Sequence, residues 1–310
     1  MLSFVFTDIF ENTLKEYPLS VRINMEEDVP ADSLYATFRY FECNELKSVK
    51  VYDENVVVFT GIIDEQITES SSDGDLLKIS ARSLAALLLD NESVPISYNH
   101  PSCSVIEQRH LKPFSISALE NNNDTYFGTH TVYKGESNYK AVEGFSKKVF
   151  KSPVRVNENG ELSFKGIFKN EKVVFSNSDD GIFYHGFLEN IRRCEPISKV
   201  RIKVVNSSGY HTVLENESAV KKGIVRERYL NAVLTDTPAV YAQSIIENSN
   251  KKAYSLTLKC KGQKLYTFGC DALVKDSVKG EIDNLYVSGV RYELGNSGET
   301  TVVTLKRKEV

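Results

Sequence analysis

The chain has 310 residues, 41% of them hydrophobic and 26% charged, which excludes a disordered polymer and leaves room for two or three cores. Its formal net charge of -4 provides no basic excess for gripping duplex nucleic acid through its phosphates, so no nucleic-acid partner is expected. No stretch approaches the roughly 18 consecutive apolar residues of a membrane span, so no membrane anchor is expected either.

The start, Met1-Leu2-Ser3-Phe4-Val5-Phe6-Thr7-Asp8, has no basic leader and meets an acid at once, which is unlike a secretory signal. Synthesis and retention in the cytoplasm, until the protein joins something, is the expectation. Leu19, Val21, Ile23 and Met25 alternate with polar residues, the period of a half-buried strand. Leu34 to Phe41, Lys47 to Tyr52, Val56 to Ile63 and Leu76 to Ala81 read as further strands, with a turn at Asp53-Glu54-Asn55 and a loop from Glu69 to Asp75. Short antiparallel strands with tight turns point to a small barrel or sandwich.

Ser83 is placed to cap a short helix through Leu84 to Leu89. Pro95, Pro101 and Pro113 mark an irregular connector, and Asn121-Asn122-Asn123-Asp124 reads as a turn. Ser137 opens an amphipathic helix with Tyr139, Val142, Phe145 and Val149 on one face, stopped by Pro153. Val154 to Val156 and Leu162 to Phe164 flank Asn159-Gly160 and predict a hairpin.

Lys172 to Phe175 and Lys199 to Val205 read as strands; Asn206-Ser207-Ser208-Gly209 returns the second into Tyr210 to Leu214. Thr237-Pro238 signals a helix start. Ala253 to Lys261 and Lys264 to Phe268 follow as strands. Leu285 to Leu294, Gly295-Asn296-Ser297-Gly298 and Thr300 to Lys306 then form a closing hairpin. The order is a β-module, a mixed middle and a second β-module.

Chemistry is sparse. The five cysteines (Cys43, Cys103, Cys194, Cys260, Cys270) are odd in number with no C-x-x-C pair, which favours buried reduced thiols over a disulfide framework. Among five histidines, only His100 and His110, with Cys103 between them, resemble a metal cluster, and their spacing fits no closed zinc template. Asp64-Glu65 and Asp179-Asp180 are candidate carboxylate pairs for glycoside hydrolysis, but they read as solvated turn acids. Lys147-Lys148, Lys221-Lys222 and Arg192-Arg193 read as solvated edges, with the rim of a subunit contact as the alternative. No catalytic, cofactor-binding or metal residue is assigned, no cofactor is expected, and the chain is not expected to be an enzyme.

Four stretches in order carry a resemblance. The first is Val58-Phe59-Thr60-Gly61-Ile62-Ile63-Asp64 followed by Leu77-Lys78-Ile79-Ser80-Ala81-Arg82-Ser83. Here Gly61 fits a close backbone approach, and Arg82 is placed to pair with an acid at the strand–helix junction. The second is Thr131-Val132-Tyr133-Lys134-Gly135-Glu136-Ser137 with Val156-Asn157-Glu158-Asn159-Gly160-Glu161-Leu162. The third is Pro196-Ile197-Ser198-Lys199-Val200 with Gly223 to Leu230, and the fourth is the closing hairpin. Together they resemble the baseplate hub proteins of contractile phage tails and phage-tail-like bacteriocins (tailocins), the late-control-protein-D-like and Mu-type hub family. The family commonly carries a Trp after the Ser of the second stretch, where Tyr139 stands nearby.

The resemblance implies a β-rich α+β fold: two small antiparallel β-barrels with mixed α+β segments between them. The corresponding division is 1–98 as first barrel and 99–165 as α+β middle. Residues 166–236 form a β-rich connecting segment able to complete a barrel, and 237–310 the second barrel. It also implies a structural homotrimer in the baseplate of a virion or tailocin, adapting a six-fold tail tube protein to a three-fold central spike protein beside baseplate wedge proteins. The competing readings are a cell-wall hydrolase and a carbohydrate-binding tail-tip protein.

Overall fold

The computed structural model describes residues 2–72, 74–120, 123–178, 180–204, 207–231 and 238–308. The expected turn at Asn121-Asn122, the acid Asp179, the strand end at Val205 with Asn206, and the cap at Thr237 lie outside the described residues. The chain divides into two compact units of discontinuous segments. One holds Met1–Glu171, Cys260–Cys270 and Ser288–Val302; the other holds Lys172–Lys259, Asp271–Val287 and Val303–Val310. The linear divisions at 98, 165 and 236 do not coincide with these units.

The first unit opens with β1 (Leu2–Asp8), β2 (Thr13–Glu16), β3 (Ser20–Glu26), β4 (Ser33–Arg39), β5 (Leu46–Asp53), β6 (Val56–Ser71) and β7 (Gly74–Ser83). They lie in the order β3-β4-β7-β6-β5-β1-β2, every pair antiparallel. Strands β4 and β1 stand four steps apart, roughly 19 Å in a flat sheet. Yet the Phe4 and Phe38 rings meet at 5.2 Å, and Phe6 and Phe38 at 5.4 Å. The sheet therefore curls over an aromatic core, and Phe4, Phe6, Phe38, Phe59, Ile23 and Leu34 are fully buried in it. Each such side chain contributes about 2 kcal/mol through removal from water.

Of these seven strands β1 and β2 were not expected from the sequence, and the supposed Glu69–Asp75 loop is β-ribbon. Pairing continues there from Glu69↔Leu76 to Ser71↔Gly74. The ladder is backbone-borne, so polar side chains on two solvated faces do not interrupt it. Gly61 is required as expected: a Cβ there would stand 2.9 Å from the Arg82 carbonyl carbon and would strike the Arg82 oxygen.

After β7 come α1 (Ala85–Asp90), β8 (Ile96–Asn99), α2 (Cys103–Ile106), β9 (Ser117–Ala118), β10 (Thr129–Val132), α3 (Asn138–Val149), β11 (Arg155–Val156) and β12 (Glu161–Ser163). Ser83 does not cap α1. It ends β7, and its hydroxyl accepts the Asp32 amide at 3.0 Å, which leaves Leu84 at the helix start without a side-chain cap. Ser137 does cap α3, accepting the Lys140 amide at 3.3 Å. The expected apolar face of α3 packs with Ile106, Leu111, Leu162 and Phe164 in one core. Gly160 takes φ 85° in the predicted hairpin of β11 and β12.

The second unit contains β13 (Lys172–Ser176), β14 (Ile182–Ile191), β15 (Lys199–Lys203), β16 (Thr212–Glu215), α4 (Glu217–Lys221), β17 (Glu227–Asn231), α5 (Pro238–Ala253), β18 (Tyr254–Lys261) and β19 (Asp271–Asp276). The closing hairpin, β20 (Gly280–Gly295) and β21 (Gly298–Arg307), runs through both units. In the first unit the outer part of β20 pairs antiparallel with β3, from Gly289↔Glu26 to Leu294↔Val21.

In the second unit the neighbours run β19-β13-β14-β18-β21-β20, and β20 pairs back onto β19, closing a six-stranded barrel. The fold is thus β-rich α+β with barrel architecture, but β13 pairs in parallel with both β14 and β19, so this barrel is not purely antiparallel. Strands β14, β17 and β19 were not expected. Lys264 to Phe268, read as a strand, holds a 3-10 turn at Leu265–Thr267, bracketed by Gly262 and Gly269 at φ 73° and 81°. Beside the barrel, β16-β15-β17 buries Val200, Ile202 and Leu230 against Ala242 and Ile246 of α5. Asn216 caps α4 by accepting the Ala219 amide.

Candidate assembly surfaces

The sequence candidates for chemistry resolve into structural roles. Asp64 is the extra residue of a β-bulge between Ile63↔Ala81 and Glu65↔Ser80, which turns its carboxylate toward Arg82. Arg82 donates to both Asp64 oxygens at 2.7 and 2.8 Å and to both Asp90 oxygens at 2.7 and 3.1 Å. The acid partner expected for Arg82 is therefore doubled, and the Asp64 carboxylate is engaged by a guanidinium. Asp180 is exposed.

Among the described residues, no group of three or more His, Cys, Asp or Glu stands ready to hold a metal ion. His100 is exposed, and Cys103 is buried on α2 with its thiol pushed up to about 11 by burial. His110 is buried in a polar network. Asn138 donates its amide to the Asn91 carbonyl at 3.0 Å, so its oxygen accepts from Nδ1 of His110 at 2.9 Å. Nε2 of His110 then accepts the Tyr98 hydroxyl at 3.0 Å. On the other side of Tyr98, His130 stacks at 6.3 Å, donates Nε2–H to the Ala141 carbonyl at 2.9 Å, and buries Nδ1 without a partner.

Burial first, then the nearby Lys148 cation, hold the His130 imidazole down to about 4. Both rings are thus neutral packing elements. The sequence carried no sign of this pair, because the residues joining them come from β8, β10, α3 and the turn after α2.

The cysteines are all free. Cys260 lies at 0% exposure with Leu256 and Leu258, as the alternation of β18 predicts, and Cys103 and Cys270 are also buried. Cys194 is exposed and Cys43 half-buried, which departs from the expectation of buried thiols.

The surface carries large exposed aromatic side chains. Phe10, Tyr17, Tyr35 and Tyr40 of the first unit are each about half exposed or more, as are Phe183, Tyr229 and Tyr241 of the second. Strand edges add to this. Among the described residues β2 pairs only with β1 and leaves its other edge open. The register of β13 with β14 ends at Ser176↔Phe183, so residues 184–191 of β14 have no strand neighbour on that side among the described residues. Side chains partly span the gap: the Tyr184 hydroxyl donates to Asp276 at 2.6 Å and Lys279 reaches Glu189 at 3.4 Å. Leu188 and Ile191 remain 64% and 68% exposed along this edge. An open ladder flanked by apolar side chains is a template for another strand or surface. Among the described residues, no helix is long and apolar enough to cross a membrane.

No protein-family model matches the chain, and no curated protein matches it. Solved structures do. A tail protein from Neisseria meningitidis MC58 superposes with TM-score 0.78 at 18% identity, covering 99% of this chain and 97% of its own. The 43 kDa tail protein of prophage MuSo2 from Shewanella oneidensis gives 0.77 at 15% identity, covering 98% of each. The prophage tail protein gp18 from Listeria monocytogenes EGD-e gives 0.62 at 13%, covering 99% and 94%. Across almost its whole length, this chain has the fold of phage tail proteins.

Proposed function

We propose that the chain is a structural, non-enzymatic component of a phage-type tail: the baseplate hub of a contractile tail or tailocin. The observation that carries this is the end-to-end match to tail proteins, which leaves almost no part of the chain over for a separate catalytic domain. In this reading the protein forms a homotrimer, a ring that presents six barrel-like modules to a tail tube protein and three-fold symmetry to a central spike protein. Baseplate wedge proteins surround it, and the finished product is a virion or tailocin particle.

The exposed aromatics and open strand edges support a role in contact-making, since Tyr and Phe at exposed positions are the usual anchors of interfaces. No specific observation favours wall hydrolysis or glycan binding over this role. The test is mass in solution with and without tube and spike proteins. A trimer, alone or on adding either partner, is expected. A monomer indifferent to both, with loss of turbidity in purified cell walls, would replace the adaptor by a hydrolase.

A further inference from the structure

Three short basic runs, far apart in sequence, meet on the second unit. Arg192 and Arg193 follow β14. The Arg192 amide donates to the Ala253 carbonyl at 2.8 Å, which brings Lys252 at the end of α5 alongside. Arg193 donates Nη2 to the Lys222 carbonyl at 2.9 Å, which brings in the end of α4. Among the described residues Arg192, Arg193, Lys222 and Lys252 form no ion pair, and all four are exposed. Helix C-termini favour cations nearby, but four unpaired like charges in one place repel one another. Leu188 and Ile191, on the open edge of β14, complete a patch that is both basic and apolar.

The first unit carries its complement. The Ile9 amide donates to the Glu45 carbonyl and the Tyr40 amide to the Asp75 carbonyl, each at 3.0 Å. These bonds gather the β1–β2 turn, the segment before β5 and the start of β7 on one rim. Glu42, Glu45 and Asp75 are exposed there without an ion pair among the described residues. Phe10 and Tyr40 stand 66% and 48% exposed between them.

Phe10 is held in that position. One Asp8 oxygen accepts the Phe10 and Asn12 amides at 2.9 and 2.8 Å, and the other accepts the Asn12 and Asn44 side chains at 3.0 and 2.8 Å. These same bonds, the Asn44 and Asn12 side chains foremost, lower the Asp8 carboxyl to about 2. An aromatic fixed outward by such a network is pre-organised for a contact, because little freedom is lost on binding.

We propose that the basic, apolar patch of the second unit receives the acidic, apolar rim of the first unit of another copy of this chain. The contact is head-to-tail, so every copy offers one rim and one patch, and a closed ring leaves none free. This rests on the ring reading above and names the surfaces that make the ring. The choice of a second copy over another partner follows from charge complementarity: four exposed cations without an ion pair among the described residues meet on this patch, and three exposed acids without one stand on the chain's own other unit.

The test is a pair of charge reversals followed by light scattering. The patch variant carries Arg193→Glu and Lys222→Glu; the rim variant carries Glu45→Lys and Asp75→Lys. All four sites are exposed, so each substitution should move stability by only about 0.5 kcal/mol, checked by circular dichroism and melting. At ~100 mM salt each variant should self-associate about tenfold more weakly than the unaltered protein. Mixing the two should restore association between unlike copies in open, alternating assemblies, and combining all four reversals in one chain should restore the full assembly. If an unaltered ring forms and both variants assemble equally well, these surfaces are not the interface, while the ring reading stands. If the unaltered chain stays monomeric even with tube and spike proteins present, both fail.

Discussion

The two β-modules reach similar ends by different routes. In the first unit β1 to β7 come from consecutive stretches, each pair is antiparallel, and the apolar residues alternate strictly, as in Val21, Ile23 and Met25 of β3. The barrel of the second unit is assembled from β13 and β14, then β18 and β19, then the closing hairpin. The sheet of β15, β16 and β17 and the helix α5 intervene in sequence. Its closure uses parallel pairs and a two-residue overlap between β13 and β14. A curl built from local hairpins is written in neighbouring residues; a ring closed by distant segments depends on pairings that local periodicity does not encode.

The largest effects should come from hollowing each core. Phe38→Ala should cost the first unit about 4 kcal/mol, and Leu258→Ala about 3 kcal/mol in the second, read from urea unfolding. If the units are separate cores, each substitution shifts its own transition; one shared shift would merge them. Next in size is Gly61→Val. The added atoms would strike the Arg82 carbonyl across the β6–β7 pair, for a loss of about 3 kcal/mol confined to the first unit.

Acid offers a third lever, specific to the first unit. His130 is held down to about 4, whereas the same side chain in an unfolded chain takes up its proton near the ordinary value of 6.5. The unfolded state therefore binds the proton first. The stability this neutral ring contributes is fully present above pH 6.5 and is lost as the pH falls toward 4. The expected loss is on the order of 2 kcal/mol, less than the full shift gives because solvent relaxes around the charge. His130→Phe should flatten that pH dependence in thermal melts; an unchanged slope would place the acid sensitivity elsewhere. The smallest effect belongs to Arg82→Ala, about 1 kcal/mol, because its ion pairs with Asp64 and Asp90 remain partly solvated.

Much of the first module and the closing hairpin was legible because their signals are local. Gly61 and Arg82 were singled out within the first stretch of the resemblance, and the structure shows the close backbone approach at one and the acid partners of the other. The helix after Ser137 was legible through its cap and its 3.6-residue face. β14 was not. Its exposed Phe183, Leu188 and Ile191 follow no single face, since the phase of burial shifts after Gly186.

β1 alternates well, but its position at the chain start offered no turn signals to bound it. The Arg192-Arg193 and Lys221-Lys222 pairs were visible as charges. Their meeting was not, because it depends on where β14, α4 and α5 end. The buried histidine pair was equally hidden: tertiary packing alone joins His110, Tyr98 and His130.

We propose that this chain is an assembling scaffold. Light scattering behind size exclusion, on the protein alone and then with the tail tube and spike proteins, tests it most directly. Three copies per particle are expected, either at once or when one partner is added. A single copy that ignores both partners at every concentration would contradict it.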